Sequence, residues 1–466
     1  MVFVFVGECL TDTSLFQPRQ PSGNLPTRLL VTVSFRPRHQ GVTQLLETRL
    51  ANEIKPNKYE TMKPYKMNNC GILKAGCAVL ALALVASASV RAEDRERQNE
   101  HGHDRVVLSF STVGDSRQDP ASPDPTTLPL SGQDAIWLQN TRALDRISRS
   151  VEYQGSSFLF FNGDMIMGYG NATSPKDTNV ATVVSSDLMA FYRQYGFWRG
   201  MMAGLMEGGT YVVPVPGNHE TQWKKAPLSG GGTGKRAQVV NENAWRANMG
   251  DLILDTNRFQ NLFGEQPTFM NVGDNSLADG LTSDQSKLSY SFDFRGCHFA
   301  IINTDPAGND AHAPTNWLSA DFADAKARGA QHFFVFGHKP AFTYNYGVTN
   351  DLPGSPAGLD NDPASRDVFW SIIESYGATY FCGHEHIFHM EQPTAATGGK
   401  AWQVLVGSGG SPFEAAPTDL TANPETDRSY AWATVTVMNS GKVRITVFGF
   451  DDQFGPTKVL RTVVLN

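Results

Sequence analysis

The hydrophobic pattern breaks residues 105–466 into short apolar runs separated by helical stretches. Residues 105–113 alternate and then turn apolar, which predicts a first strand ending at Gly114-Asp115. A Pro- and Asp-rich loop follows over 119–129, then a helical pattern over 134–150 with Ile136, Leu138, Leu144 and Ile147. Residues 157–161 read as a second buried strand, ending at Gly163-Asp164. A long helix rich in aromatics and Met is expected over 187–206. The third strand starts at Tyr211 and runs into Gly217-Asn218-His219-Glu220.

Strands resume at 288–294 and 297–303, followed by an amphipathic helix over 317–328. A strand over 331–336 ends at Gly337-His338. A helix over 365–376 leads to a strand over 378–382 that ends at Gly383-His384-Glu385-His386. After 402–406, hairpin-like strands at 431–438, 443–450 and 458–465 close the chain, with Asn439-Ser440-Gly441 as a turn. No internal repeat is visible. The expected organisation is one domain over 105–466, with an insertion over 221–288 covering the carboxyl ends of the strands. Within it, Gly230-Gly231-Gly232-Thr233-Gly234-Lys235 looks superficially like a phosphate loop. It fails that pattern, because Ser229 stands at the first Gly and Arg236 replaces Ser/Thr. It reads as a flexible loop.

Composition narrows the class. The chain has 466 residues, 40% of them hydrophobic, enough for a large core. Its formal net charge is −7 and no long basic run appears in the body, which argues against a nucleic-acid partner. Residues 62–92 resemble a secretory signal. Lys63, Lys66 and Lys74 form a basic start, 75–86 is an apolar run too short to span a bilayer comfortably, and small residues precede Glu93. The expectation is a periplasmic or secreted protein with no transmembrane anchor after signal cleavage. Residues 1–61 then read as an upstream extension outside the mature protein, and 93–104, with His101 and His103, as a solvated linker. Cys9, Cys70 and Cys77 fall in or before the signal. Cys297 and Cys382 sit in apolar strands and are expected as buried free thiols.

The candidate chemistry lies where strands end. Five strands end in Gly followed by a metal-capable side chain: Asp115, Asp164, Asn218-His219, His338, and His384 with His386. Residues two apart in an extended segment point the same way, so His384 and His386 can face one site. Mixed carboxylate, amide and imidazole donors suit Mn, Fe, Zn or Co. Two ions about 3.5–4 Å apart would clamp a phosphate and activate a water.

These motifs, in this order, resemble the calcineurin-like metallophosphoesterases, a group that includes purple acid phosphatases. The resemblance spans roughly residues 106–410. It implies a four-layer α/β/β/α sandwich with two divalent or trivalent transition metal ions at the strand ends. It implies a small-molecule phosphoester substrate, cleaved by attack of a metal-bound hydroxide on phosphorus. By the family pattern, Asp164 would bridge the ions. Asn218, His338 and His384 would hold one, and Asp115 and His386 the other. His219 would be a general acid or a stabiliser of the phosphoryl group.

Two departures stand out. The family's first motif has a His two residues after the Asp, where this chain has Arg117. Purple acid phosphatases have a Tyr three residues after the second Asp, where this chain has Met167; Tyr169 is close but out of step. Arg117 is open to two readings: a bidentate grip on a phosphate oxygen, or a surface pair with Asp119. Glu220 reads as a cap or supporting group, Lys339 as an exposed lysine, and Trp223, Tyr344 and Tyr346 as ordinary packing, with pocket walls as the alternative. Two other functions fit the same motifs: a degenerate phosphoesterase acting as a binding protein, and a nucleotide or pyrophosphate hydrolase.

Overall fold

The structure, a computed structural model, describes residues 104–117, 137–344, 357–413 and 427–465. The signal-like segment, the extension before it, His101, His103, Asp119, Tyr346, Cys9, Cys70 and Cys77 lie outside the described residues. In chain order the strands are β1 (Val106–Val113), β2 (Phe158–Asn162), β3 (Tyr211–Val215), β4 (Gln222–Pro227) and β5 (Thr233–Ala237). Next come β6 (Phe269–Asn271), β7 (Tyr290–Phe294), β8 (Cys297–Ile301), β9 (His332–Phe336) and β10 (Thr379–Cys382). The last are β11 (Phe388–Glu391), β12 (Trp402–Val406), β13 (Ser429–Met438), β14 (Val443–Asp451) and β15 (Lys458–Leu465).

Two sheets dominate. One has the order β15-β14-β13-β1-β2-β3, the other β11-β12-β10-β9-β8-β7-β6, and β4 pairs with β5 alone. Within the first sheet β1, β2 and β3 run parallel, and within the second β8, β9, β10 and β12 do. Parallel strands are covered on both faces and read as unbroken apolar runs, which is the pattern of β2 and β3.

Alternation along β2 assigns its two faces. Phe158 and Phe160 point at the other sheet: Phe160 stacks on Phe336 at 3.8 Å between centroids, and Phe158 lies 5.9 Å from Phe299. Phe161 points the other way, edge-on to Trp198 at 5.1 Å. Trp198 belongs to the Asp187–Glu207 helix, which Ser186 caps by accepting from Met189 N. Leu144, Ile147 and Val151 of the Trp137–Tyr153 helix join the same core.

The far face of the second sheet carries a separate apolar cluster. It includes Leu318 and Phe322 of the Thr315–Arg328 helix, and Phe369 of the Pro363–Ser375 helix, whose ring meets Tyr380 edge-on at 5.0 Å. Pro363 opens that helix and Asp362 caps it by accepting from Ala364 N and Ser365 N. Helix, sheet, sheet, helix is therefore the layer order, a four-layer α/β/β/α sandwich.

The 221–288 segment holds more order than its irregular sequence suggests. The glycine-rich stretch read as a flexible loop is the tip and second strand of the β4–β5 hairpin. Turn signals outnumber apolar residues there, so periodicity gave no strand. The Val239–Met249 and Thr256–Phe263 helices bury Trp245 and Phe259 in the main core, and β6 extends the second sheet. Cys297 and Cys382 are buried free thiols. Among the described residues no helix is long and apolar enough to cross a membrane.

Replacing Phe160 by Ala removes the ring that stacks on Phe336. Chemical denaturation should show a loss of about 3–5 kcal/mol, the usual cost of emptying a buried aromatic site.

Candidate metal centre

The carboxyl ends of β1, β2, β3, β9 and β10 meet at one edge of the sandwich, where backbone bonds stitch the two sheets together. Gly114 N donates to Val406 O (2.9 Å), and Gly409 N to Gly114 O (2.9 Å). Three of the candidate side chains leave these ends from left-handed backbone: Asp115 at φ 63, Asp164 at φ 53 and His384 at φ 76. Non-glycine residues occupy that region at a cost and collect at functional sites. The flanking glycines have a packing reason. A Cβ on Gly163 (φ 82) would lie 2.6 Å from His338 Nδ1, and one on Gly383 would lie 2.2 Å from Asp115 Oδ2.

Four acceptor groups converge. His338 Nε2 lies 2.7 Å from Asn218 Oδ1 and 3.2 Å from Asp164 Oδ1. His384 Nδ1 lies 2.9 Å from Asn218 Oδ1 and 3.1 Å from His338 Nε2. Among the described residues, Asp164, His338 and His384 form the group of His, Cys, Asp or Glu whose donor atoms lie within 4.8 Å of one another. His338 Nδ1 is 2.8 Å from the Asn162 carbonyl, so that nitrogen carries the proton and Nε2 faces the site. Oxygen and nitrogen atoms gathered this closely can share a cation, and this donor set suits a borderline transition metal. The residues present fit a metal ion.

The charges tell the same story. Burial disfavours charge on His338, but Asp164 and Asp115 outweigh it and push its imidazole up to about 10. Burial also opposes ionisation of Asp164, yet His219, His338 and His384 hold it well below the usual carboxylate range. Burial, with His338 and Lys339 beside it, holds His384 well below the ordinary imidazole value. In the bare protein, then, one proton on His338 stands where positive charge is demanded.

Asp115 and His386 lie on the other side. His384 N donates to both Asp115 carboxylate oxygens, at 3.1 and 3.0 Å, and His386 Nε2 lies 3.8 Å from Asp115 Oδ1. His386 Nδ1, 2.7 Å from Pro412 O, donates there and leaves Nε2 facing inward. Burial raises Asp115 well above its usual value; His338 opposes this and Asp164 adds to it. Arg117, at φ 39, is part-buried rather than a plain surface residue. Its Nε donates to Ser411 Oγ (3.2 Å) and its NH2 group lies 3.5 Å from His386 Nδ1.

His219 sits beside Asp164, with Nε2 3.5 Å from Oδ2 and Nδ1 2.6 Å from Met167 O. Burial brings its imidazole down to about 3 against the pull of Asp164, with Arg117 and Lys235 adding to the fall. Glu220 is wholly buried and holds the turn after β2. Its Oε2 accepts from Asp164 N (2.9 Å) and Gly217 N (2.8 Å), its Oε1 from Met165 N (2.9 Å) and Ile166 N (3.3 Å). Burial raises it to about 7, against those N–H groups and His338.

Several readings need correction. Lys339 is not exposed: it is 7% accessible and its Nζ is 2.7 Å from Asp305 Oδ1. Tyr344 lies tilted against His389 with ring centres 4.1 Å apart, and neither it nor Trp223 lines the cavity over the site, in keeping with ordinary packing. Tyr169 was out of step by sequence, but Gly168 (φ 48) and Tyr169 (φ 58) turn its ring inward. The ring lies 3.8 Å from that of His219, and its hydroxyl accepts from Asn218 Nδ2, which leaves Asn218 Oδ1 aimed at the two imidazoles. Two successive left-handed residues have no sequence signal beyond Gly168 itself. Lys235 was missed inside the glycine-rich stretch; its Nζ lies 5.2 Å from the Tyr169 ring centre.

No family model matches the chain, and no curated protein matches it. Solved structures do. A purple acid phosphatase from yellow lupin (Lupinus luteus) seeds is 14% identical, with a TM-score of 0.47, over 78% of this chain and 54% of that one. The chain thus spans about half the length of that phosphatase. GAP50, the anchor in the inner membrane complex of Plasmodium, is 14% identical, with a TM-score of 0.40, over 78% of this chain and 89% of that one. A dimetal phosphatase from Danio rerio is 12% identical, with a TM-score of 0.38, over 76% of this chain and 99% of that one.

Glu220→Gln turns an amide NH2 onto backbone N–H donors. Thermal and urea unfolding should show a loss of about 2–3 kcal/mol, the cost of buried unsatisfied groups; an unchanged midpoint would remove Glu220 from its supporting role.

Proposed function

We propose that this chain is a metal-dependent hydrolase of small-molecule phosphoesters. The observation that carries this reading is the convergence of Asp164, Asn218, His338 and His384 with their acceptor atoms facing one another. One ion would be held by those four side chains and a second by Asp115 and His386, with Asp164 shared. When bound, such ions polarise a phosphoryl oxygen and lower the pKa of water.

The chain's own residues account for the rest. Tyr169 fixes the Asn218 amide, so its oxygen rather than its nitrogen faces His338 and His384 and would be the atom offered to an ion there. His219 is set with Nδ1 on the Met167 carbonyl and Nε2 3.5 Å from Asp164 Oδ2, on the side of the proposed metal site. A phosphate anion beside Nε2 would raise its affinity for a proton, so the histidine becomes a proton donor to the leaving oxygen once substrate is bound. Arg117 adds a guanidinium next to His386, on the side where the protein donors are fewer. A cavity of about 940 Å³ reaches Asn218, His384 and Tyr169 from solvent, and it is the path for the substrate. The signal-like segment at 62–92 supports export to the periplasm or the medium.

The test is activity measured together with metal content, on aryl phosphate mono- and diesters. The wild type should carry one to two transition metals per chain and hydrolyse at least one ester. His338→Ala should lose both metal and turnover. His219→Ala should keep its metal and lose roughly 10²–10⁴-fold in kcat, the range for general acid–base groups. Wild-type protein that holds no metal and cleaves neither ester would refute the reading and leave a binding role.

A further inference from the structure

The cavity over the site is far larger than one phosphate group, and its outer wall is the β4–β5 hairpin. Between Thr221 and Ala237 stand Lys224, Lys225, Lys235 and Arg236, with no Asp or Glu, in a chain whose net charge is −7. The hairpin is fixed rather than loose. Asp310 Oδ1 accepts from Ala237 N (2.7 Å) and Gln222 Nε2 (2.9 Å) at its base, and Lys224 N donates to Tyr169 O (3.2 Å). That anchoring sets Lys235 over the Tyr169 ring, and Tyr169 in turn touches both His219 and Asn218. Lys235 and Arg236 line the cavity, whereas Lys224 and Lys225 do not. Among the described residues, no carboxylate pairs with Lys235 or Arg236, while Lys339, which also lines the cavity, is already paired with Asp305.

We propose that the hairpin is the specificity element of this site, and that Lys235 and Arg236 take a second phosphate carried by the leaving group of the substrate. The inference rests on the phosphoesterase reading. The phosphoryl group to be transferred lies at the strand ends beside His219. The leaving group extends outward along Tyr169, and its distal phosphate meets two cations that hold no other charge. Charge-assisted hydrogen bonds to phosphate are the strong kind, and a rigid two-stranded ribbon presents them without reordering.

Binding tests this without relying on turnover. Calorimetric titration of the metal-loaded full chain compares propylphosphonate with propane-1,3-diphosphonate. The wild type should bind the diphosphonate about tenfold more tightly, a gain at the low end for hydrogen bonds to charged groups. Lys235→Ala/Arg236→Ala should erase that preference and leave propylphosphonate affinity unchanged. Lys224→Ala/Lys225→Ala removes the same charge from the same hairpin and should keep the preference. Equal affinities in the wild type would overturn the proposal. So would a preference that survives the first double variant, or one lost equally in the second, which would mark general charge attraction. Hydrolysis of an aryl phosphate reads the parent assignment separately. A Lys235- and Arg236-dependent preference without any turnover would sink the hydrolase and keep the second phosphate site; turnover without the preference would do the reverse.

Discussion

Phe160 and Phe336 lie face to face between the two sheets, 3.8 Å apart and 7° from parallel. The first lies shortly before Gly163-Asp164 on β2, the second just before Gly337-His338 on β9. Phe110 and Phe381 complete the layer, with Phe381 stacked on Phe336 at 5.1 Å and Phe110 edge-on to Phe160 at 5.4 Å. This aromatic floor fixes the distance between sheets that contribute different donors. Asp164 and Asn218 come from one sheet, His338 and His384 from the other. A packed interior resists even small volume changes, so the donor atoms keep hydrogen-bonding distances although they come from four separated stretches of chain.

Above the floor the balance is electrostatic. Three carboxylates (Asp115, Asp164, Glu220) and three imidazoles (His219, His338, His386) are buried together beside part-buried His384, which a folded chain tolerates only if charges and lone pairs are matched. The matching is carried by backbone: the Asn162 carbonyl sets one imidazole and the Pro412 carbonyl another, while N–H groups from the β2 turn hold Glu220. Groups that orient donors from behind tune a metal site as much as the donors do. The left-handed backbone at Asp115, Asp164 and His384 is a cost the surrounding bonds sustain.

Much of this was legible in the sequence, and for a physical reason. Strands buried on both faces have to be unbroken apolar runs, so their ends are sharp, and Gly-Asp or Gly-His at a sharp end stands out. The Trp402–Val406 strand matches its predicted bounds for the same reason, and Lys458–Leu465 matches although it is a largely exposed edge strand. The β4–β5 hairpin was not legible, because its strands are polar, exposed and dominated by turn-forming residues. Tyr169 was hidden by geometry: two consecutive positive φ angles redirect a residue that strict spacing would set aside. Lys339 was misread because its partner, Asp305, is distant in sequence, so local polarity said nothing about burial.

The central claim is that acceptor atoms from the two sheets enclose a cation. The most direct measurement is anomalous X-ray diffraction from crystals of the full chain equilibrated with Mn or Zn. The account predicts an anomalous peak within bonding reach of Asp164, Asn218, His338 and His384. A clean map at that position, with the four side chains still in contact, would contradict it.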